Sequence, residues 1–68
     1  MPTTSITERQ HQVLILISEG LTTAEIGVEL GLSEGTINVH RKTLLHKFKA
    51  RNVAGLIKKA CKEGIFDD

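Results

Sequence analysis

Helix-ending glycines limit the fold of this chain more than any other feature of its sequence. Gly20, Gly31 and Gly64 each follow a segment in which apolar residues recur every three or four positions, which is where the C-terminal cap of a helix stands. The single proline is Pro2, and no segment of useful length alternates between apolar and polar residues as a strand does. The sequence therefore predicts an all-α fold, a bundle of four short helices.

Each predicted helix begins at a residue type that caps helix N-termini, and these caps are Thr7, Thr22, Ser33 and Asn52. Gln10 and Glu25, three residues after the first two caps, complete capping boxes. The helices are expected over about Glu8 to Glu19, from Thr22 to Gly31, over about Glu34 to Phe48, and from Asn52 to about Lys62. The predicted core is the apolar side of each helix with the chain end: Gln10, Val13, Leu14, Ile17, Leu21, Ile26, Leu30, Ile37, His40, Leu44, Phe48, Val53, Leu56, Ile57, Ala60, Cys61, Ile65 and Phe66.

The size of the chain and its one cysteine restrict the class of protein. With 68 residues there is room for a single domain, expected over residues 1–68 with its core at about 6–66. Cys61 alone excludes an intrachain disulfide and a cysteine-built zinc site. No apolar run approaches the ~18 residues of a membrane span, and no signal-peptide pattern is present. These features favour a reducing, cytoplasmic location.

The net charge of +1 conceals two halves of opposite sign. Residues 1–34 carry one base and five acids, a sum of −4, and residues 35–68 carry eight bases and three acids, a sum of +5. There is no acid between Gly35 and Lys62. Such asymmetry indicates a surface for a polyanion, although an ordinary basic face explains the charge alone equally well.

The second and third helices carry the signature of a helix-turn-helix. Gly27 is a small residue that lets the third helix approach, and Leu30, Gly31 and Leu32 form an apolar–glycine–apolar turn. Ile37 is the first core contact of the next helix. Any helical bundle needs apolar spacing and turns, but not this combination with an acid-free helix, so the pattern indicates nucleic-acid binding.

Several spaced motifs resemble the LuxR/GerE-type (NarL-type) helix-turn-helix DNA-binding domains of bacterial transcription regulators. The resemblance covers about residues 6–66 and implies that the third helix enters the major groove and the fourth pairs two copies on DNA. It implies an output domain of a response regulator or ligand-sensing regulator, or a stand-alone small regulator, associated with the bacterial nucleoid. The matching stretches are Ile6 to Gln10 with Val13 and Leu14, Ser18 to Gly27, Leu30 to Arg41, Lys47, Arg51 with Asn52, and Gly64 to Phe66.

The outer face of the third helix holds the expected base-reading residues Asn38, Val39 and Lys42. An advance of ~100° per residue places them away from the side that Ile37 and Leu44 bury. Asparagine pairs with adenine in bidentate fashion, valine contacts a thymine methyl, and lysine reaches guanine acceptors. Two alternatives stay open, which are a solvated polar role for Asn38 and a phosphate contact for Lys42.

Phosphate contacts are expected around this helix, where they set register and give salt-dependent affinity. Thr36 places a hydroxyl beside free backbone N–H groups at the helix start. Arg41 lies nearer the core and is expected to run its stem along apolar surface to a phosphate. The expected contacts are Thr23, Thr36, Arg41, Lys47, Lys49 and Arg51. For the pairing of two copies, the resemblance implicates Ala54, Gly55 and Lys58.

Catalysis and metal binding are not expected. His40 lies on the buried side of the third helix and is predicted to be a packed, hydrogen-bonded residue. The histidines form no i, i+4 pair, Ser18 and Cys61 have no local histidine partner, and the glycines form no phosphate-binding loop. The sequence predicts no enzyme activity, metal or cofactor.

The chain departs from the family pattern at four positions. Gln10 and Gln12 stand where glutamates are usual, so any ion pair of those acids is lost or altered. Gly35 and Gly55 lie inside helices, and Gly35 removes a side chain that is often directed at DNA.

The leading hypothesis is sequence-specific binding of double-stranded DNA by a homodimer, with RNA polymerase as a further partner. A sigma-factor-like promoter reader is the runner-up within this class. The alternative from another class is a protein-interaction or heterodimerisation module that kept the fold and has weak DNA affinity. Lys42, Lys47 and Arg51 argue against this alternative, and Gly35 argues mildly for it.

Overall fold

The computed structural model describes residues 4–66, and throughout that range the regular structure is helical. The four helices are α1 (Glu8–Ser18), α2 (Thr23–Leu30), α3 (Glu34–Lys47) and α4 (Val53–Lys62). The predicted all-α, four-helix architecture is confirmed. The first and third helices end one residue earlier than expected, because Glu19 and Phe48 serve as their C-caps.

All four predicted N-caps form. The side chains of Thr7, Thr22, Ser33 and Asn52 accept hydrogen bonds from the backbone N–H three residues later, at 2.9–3.2 Å. In α1 and α2 the capping boxes close, since Gln10 and Glu25 accept from the backbone N–H of the cap residue at 3.0 and 2.8 Å. These bonds satisfy donors that a helix start leaves unpaired, and therefore fix where each helix begins.

Every helix ends in the same way, with its chain folded back at a residue of positive φ. The three predicted glycines take φ values of 70–89°, and α3 instead ends at Lys49 with φ 54°. One residue further on, a backbone N–H donates to the carbonyl five residues earlier, at 2.9–3.2 Å. This is the Schellman arrangement, which satisfies helix-end carbonyls. A left-handed conformation costs a non-glycine residue ~1–2 kcal/mol, so Lys49 is strained where the other three helices use glycine.

The core lies between α3 and the two helices before it, with α4 closing one side. α3 packs mainly on α2 and α1, and α4 contacts both α1 and α3. Ile65 and Phe66 fold back against the core as predicted. The buried apolar residues are Val13, Leu14, Ile17, Ile26, Ile37, Leu44, Phe48, Leu56 and Ala60.

Two core predictions need correction. Cys61 is exposed, because it lies about 80° around α4 from Val53 and so stands at the edge of the apolar side. His40 is half-buried, and its ring forms no hydrogen bond within residues 4–66, so the packed position is found without the expected hydrogen bond.

Gly27 is required by the close approach of α2 to the turn that follows it. A Cβ atom at this position would lie 2.6 Å from the backbone oxygen of Leu32, well inside normal contact. The prediction that Gly27 lets the next part of the chain approach is confirmed, with the tightest contact at Leu32 in the turn and the backbone nitrogen of Glu34 in α3 at 3.9 Å. The tight turn places the start of α3 directly against α2. None of the helices in the described range is long and apolar enough to cross a membrane.

Candidate nucleic-acid interface

The face of α3 opposite the core carries the three predicted base-reading residues. Ile37 and Leu44 are buried, whereas Asn38, Val39 and Lys42 are exposed. Val39 leaves 62% of its surface accessible. Because Lys42 follows Asn38 by four positions and Val39 by three, the three side chains share one side of the helix. An apolar group, a neutral amide and a cation are therefore neighbours on the exposed side of α3.

Thr23 and Asn38 lie together, which the sequence analysis did not predict. The Thr23 hydroxyl, in the first turn of α2, donates a long hydrogen bond of 3.5 Å to Asn38 Oδ1. This contact orients the amide so that its NH2 group is free to donate elsewhere. The same hydroxyl was expected to contact a phosphate, so in the free protein it has a different partner. No local pattern predicts this hydrogen bond, because the two residues are 15 positions apart and meet only through the packing of α2 against α3.

The start of α3 presents hydroxyl and backbone donors. Ser33 Oγ accepts from the Thr36 backbone N–H at 3.2 Å and lies 3.0 Å from Thr36 Oγ1. Both side chains are exposed. A helix N-terminus of this kind favours an anion through its partial positive charge and free N–H groups. This geometry is compatible with the phosphate contact expected of Thr36.

The expected cationic contacts extend along α3 and past its end. Lys42, Lys49 and Arg51 are exposed, and Arg41 and Lys47 are half-buried, as expected for Arg41 from its position nearer the core. The backbone oxygen of Lys49 accepts from Lys59 Nζ at 2.6 Å. This bond brings a lysine of α4 to the strained turn after α3.

Lys47 is held by a contact that sequence reasoning missed. Its Nζ donates to Gln10 Oε1 at 3.0 Å, across 37 positions of the chain. The same oxygen accepts from the Thr7 backbone N–H. No local pattern predicts this hydrogen bond, because it depends on how the end of α3 packs against the start of α1.

The expected pairing surface lies on α4. Ala54 and Lys58 are exposed and, four positions apart, share one side of the helix, while Gly55 is half-buried. A Cβ at Gly55 would meet Asn52 Oδ1 at 3.5 Å and Ala50 Cβ at 3.8 Å, which are ordinary contacts. The fold of one copy therefore does not require glycine at this position.

A second exposed apolar residue lies on α2. Val28 leaves 85% of its surface accessible, the largest value among the exposed large hydrophobic residues. It borders an open hollow of about 380 Å³ that Leu21, Ala24, Glu25 and Glu29 also line. This surface was not among the predicted sites, although a valine between two glutamates on a short helix is the signal that marks it.

Chemistry-bearing side chains do not cluster in the part of the chain that the structure describes. Residues 4–66 hold no group of three histidine, cysteine or acidic residues that could bind a metal ion. His11 Nε2 lies 3.1 Å from the carbonyl oxygen of Ile65, which gives that ring a structural contact at the chain end.

The chain is similar to a known family of proteins. Residues 4–60 match the family described as bacterial regulatory proteins, luxR family. The chain belongs to this family, so the resemblance inferred from its motifs is confirmed.

Individual relatives are longer than this chain. Over 47 residues it is 43% identical to the transcriptional regulatory protein UhpA of Salmonella typhimurium, which covers 69% of this chain and 24% of that protein. It is 33% identical over 60 residues to the transcriptional regulatory protein FixJ of Rhizobium meliloti, covering 88% of this chain and 29% of the relative. The chain thus spans less than a third of the length of these relatives.

A solved structure supports the fold. The response regulator ChrA of a heme-sensing two-component system superimposes with a TM-score of 0.86 at 22% identity, over 96% of this chain and 32% of that one. The family is described as one of bacterial regulatory proteins, and UhpA and FixJ are named as transcriptional regulatory proteins.

Proposed function

We propose that this chain is a DNA-binding output domain of bacterial transcription regulation, which inserts α3 into the major groove of double-stranded DNA. The observation that carries the proposal is the exposed side of α3, where Val39 leaves its apolar surface accessible beside Asn38 and Lys42. An apolar side chain gains nothing from water at this position, but it can contact a thymine methyl group in the groove. Asn38 and Lys42 supply donors for acceptors on the base edges.

The surrounding residues hold the helix on the duplex. Thr36 at the start of α3, and the cations Arg41, Lys47, Lys49 and Arg51 along and beyond it, contact backbone phosphates. Thr23 reaches the phosphate backbone when DNA draws its hydroxyl away from Asn38. These contacts set the register of α3 and supply affinity that falls with salt, without reading sequence.

Two copies bind together through α4. A single module of this size buries only ~600–1,000 Å² on DNA, so one copy alone has modest affinity. Pairing through Ala54, Gly55 and Lys58 raises the effective concentration of the second copy at an adjacent half-site. Such a domain works in the bacterial cytoplasm on the nucleoid and adjusts transcription through RNA polymerase.

Selection from a randomised duplex pool, performed at two salt concentrations, tests the proposal. We expect a selected sequence with two half-sites. Asn38→Ala relaxes the preference at one position in each half-site, whereas Arg51→Ala weakens binding to all sequences and flattens the dependence on salt. A pool that yields no preferred sequence, together with affinity that does not change with salt, refutes the proposal.

A protein-interaction module is the second candidate function, and the hollow beside Val28 favours it. The exposed apolar surface of Val28 suits a protein partner, and the carboxylates of Glu25 and Glu29 beside it repel a polyanion. This candidate predicts a stable complex with a partner protein and no DNA selection, so the same pool experiment distinguishes it from the first.

A further inference from the structure

Gln10 occupies an unusual place for a polar side chain. It is 8% exposed and is the one buried polar residue within the described range. Its Oε1 accepts two hydrogen bonds, one from the Thr7 backbone N–H and one from Lys47 Nζ, each at 3.0 Å. A single amide oxygen therefore joins the start of α1 to the last residue of α3.

The chemistry of this contact leaves the lysine charge intact. An amide oxygen accepts a hydrogen bond but carries no formal charge, so this contact does not cancel the charge of the ammonium group. An ammonium has three N–H donors, and this contact uses one of them. Lysine also loses ~2 kcal/mol of side-chain entropy when it is fixed in one position, and the contact with Gln10 meets part of that cost before any ligand arrives.

We propose that Gln10 is a positioning residue of the DNA interface, which holds the Lys47 ammonium beside the end of α3 while leaving its charge for a backbone phosphate. The inference rests on the proposed function, since the phosphate is that of DNA in the groove beside α3. The neutrality of Gln10 is the essential property. A carboxylate at the same place accepts the same two bonds but pairs with the cation and cancels its charge.

Gln10→Glu tests this distinction because the two side chains have nearly the same shape. Binding of a fixed duplex is measured across a range of salt concentrations, and unfolding by urea is measured in parallel. The logarithm of the affinity falls with the logarithm of salt by ~0.9 for each phosphate neutralised. We therefore expect Gln10→Glu to reduce that slope by about 0.9 and to weaken binding about eight-fold at 0.1 M salt. The free energy of unfolding of Gln10→Glu in urea should be at least that of the original chain.

Gln12→Glu is the matched control. It adds the same charge on the same helix, but Gln12 is exposed and lies about 200° around α1 from Gln10. We expect it to leave the salt slope unchanged. Lys47→Met should reduce the salt slope by the same amount as Gln10→Glu. In the double variant the glutamate should reduce the slope no further.

Three results separate the possible failures. Equal salt slopes for Gln10→Glu and Gln12→Glu overturn the inference, because a glutamate beside Lys47 would then act no differently from a glutamate elsewhere on α1. If Gln10→Glu does not fold, Lys47→Met decides, and an unchanged slope in that variant overturns the inference as well. Affinity of the original chain that is independent of salt refutes the proposed function itself.

Discussion

A valine at position 27 tests how closely α2 must approach the turn before α3. The Cβ of any residue other than glycine would lie 2.6 Å from the backbone oxygen of Leu32, whereas ordinary contact begins at about 3.4 Å. Leu32 cannot move aside freely, because its N–H donates to the Gly27 carbonyl at 2.9 Å. A Cβ there requires a shift of about 0.8 Å, which the bond between the same two residues opposes.

The expected loss of stability follows from these contacts. Overpacking of this kind costs ~1–3 kcal/mol, and the two methyl groups of valine place Gly27→Val at the upper end. Valine is a better helix former than glycine by roughly 0.4 kcal/mol, which offsets little of the loss. A domain of 68 residues is stable by only ~3–10 kcal/mol, so a loss of ~2–3 kcal/mol is a large fraction of the total. The melting temperature should fall by roughly 10–20 °C.

Gly35→Val is the matched control, since Gly35 also lies in a helix but has open space around it. The nearest atom to a Cβ there is Ser33 Oγ, at 3.9 Å. We expect its free energy of unfolding to change by less than ~0.5 kcal/mol. Urea unfolding followed by far-ultraviolet circular dichroism measures both variants. Equal stabilities for the two valine variants would refute the reasoning, because the close approach at Leu32 would then cost nothing.

Three other predictions follow from the structure. Lys49→Gly should raise the free energy of unfolding by ~1 kcal/mol by relieving the positive φ, and urea unfolding that shows no gain contradicts the strain. Thr23→Val removes the hydroxyl that DNA draws from Asn38 to a phosphate and should weaken binding to all duplexes alike, whereas a base preference broadened at the Asn38 position would show that this hydroxyl stays on Asn38. Val39→Ala should change stability by less than ~0.5 kcal/mol yet weaken binding to the selected duplex, and unaltered affinity would remove Val39 from the interface.

Local chemistry explains why much of the fold could be predicted from the sequence. The N-caps such as Thr7 and the glycine helix ends such as Gly31 act within four or five residues, so their patterns are complete in the sequence. The end of α3 at Lys49 follows the same geometry without the expected residue type. Its strain is tolerated by the surrounding structure, and no local pattern marks it.

The site was predictable in its outline and not in its internal contacts. Helical spacing correctly placed Asn38, Val39 and Lys42 on an exposed face. The bonds of Thr23 to Asn38 and of Gln10 to Lys47 span 15 and 37 positions, and they arise only when helices pack. Periodicity also failed at Cys61, since a position at the edge of an apolar side is buried only if a neighbouring element covers it.

The self-contained helix ends have a consequence for how the chain folds. Each turn closes through bonds between residues at most five positions apart, and the helices are separated only by residues 19–22, 31–33 and 48–52. Much of the native contact pattern is therefore close in sequence, which corresponds to a low contact order. Helical domains of this kind fold within microseconds to milliseconds. We expect this chain to reach its native state on that timescale, with the docking of α4 against α1 as the step of longest sequence separation.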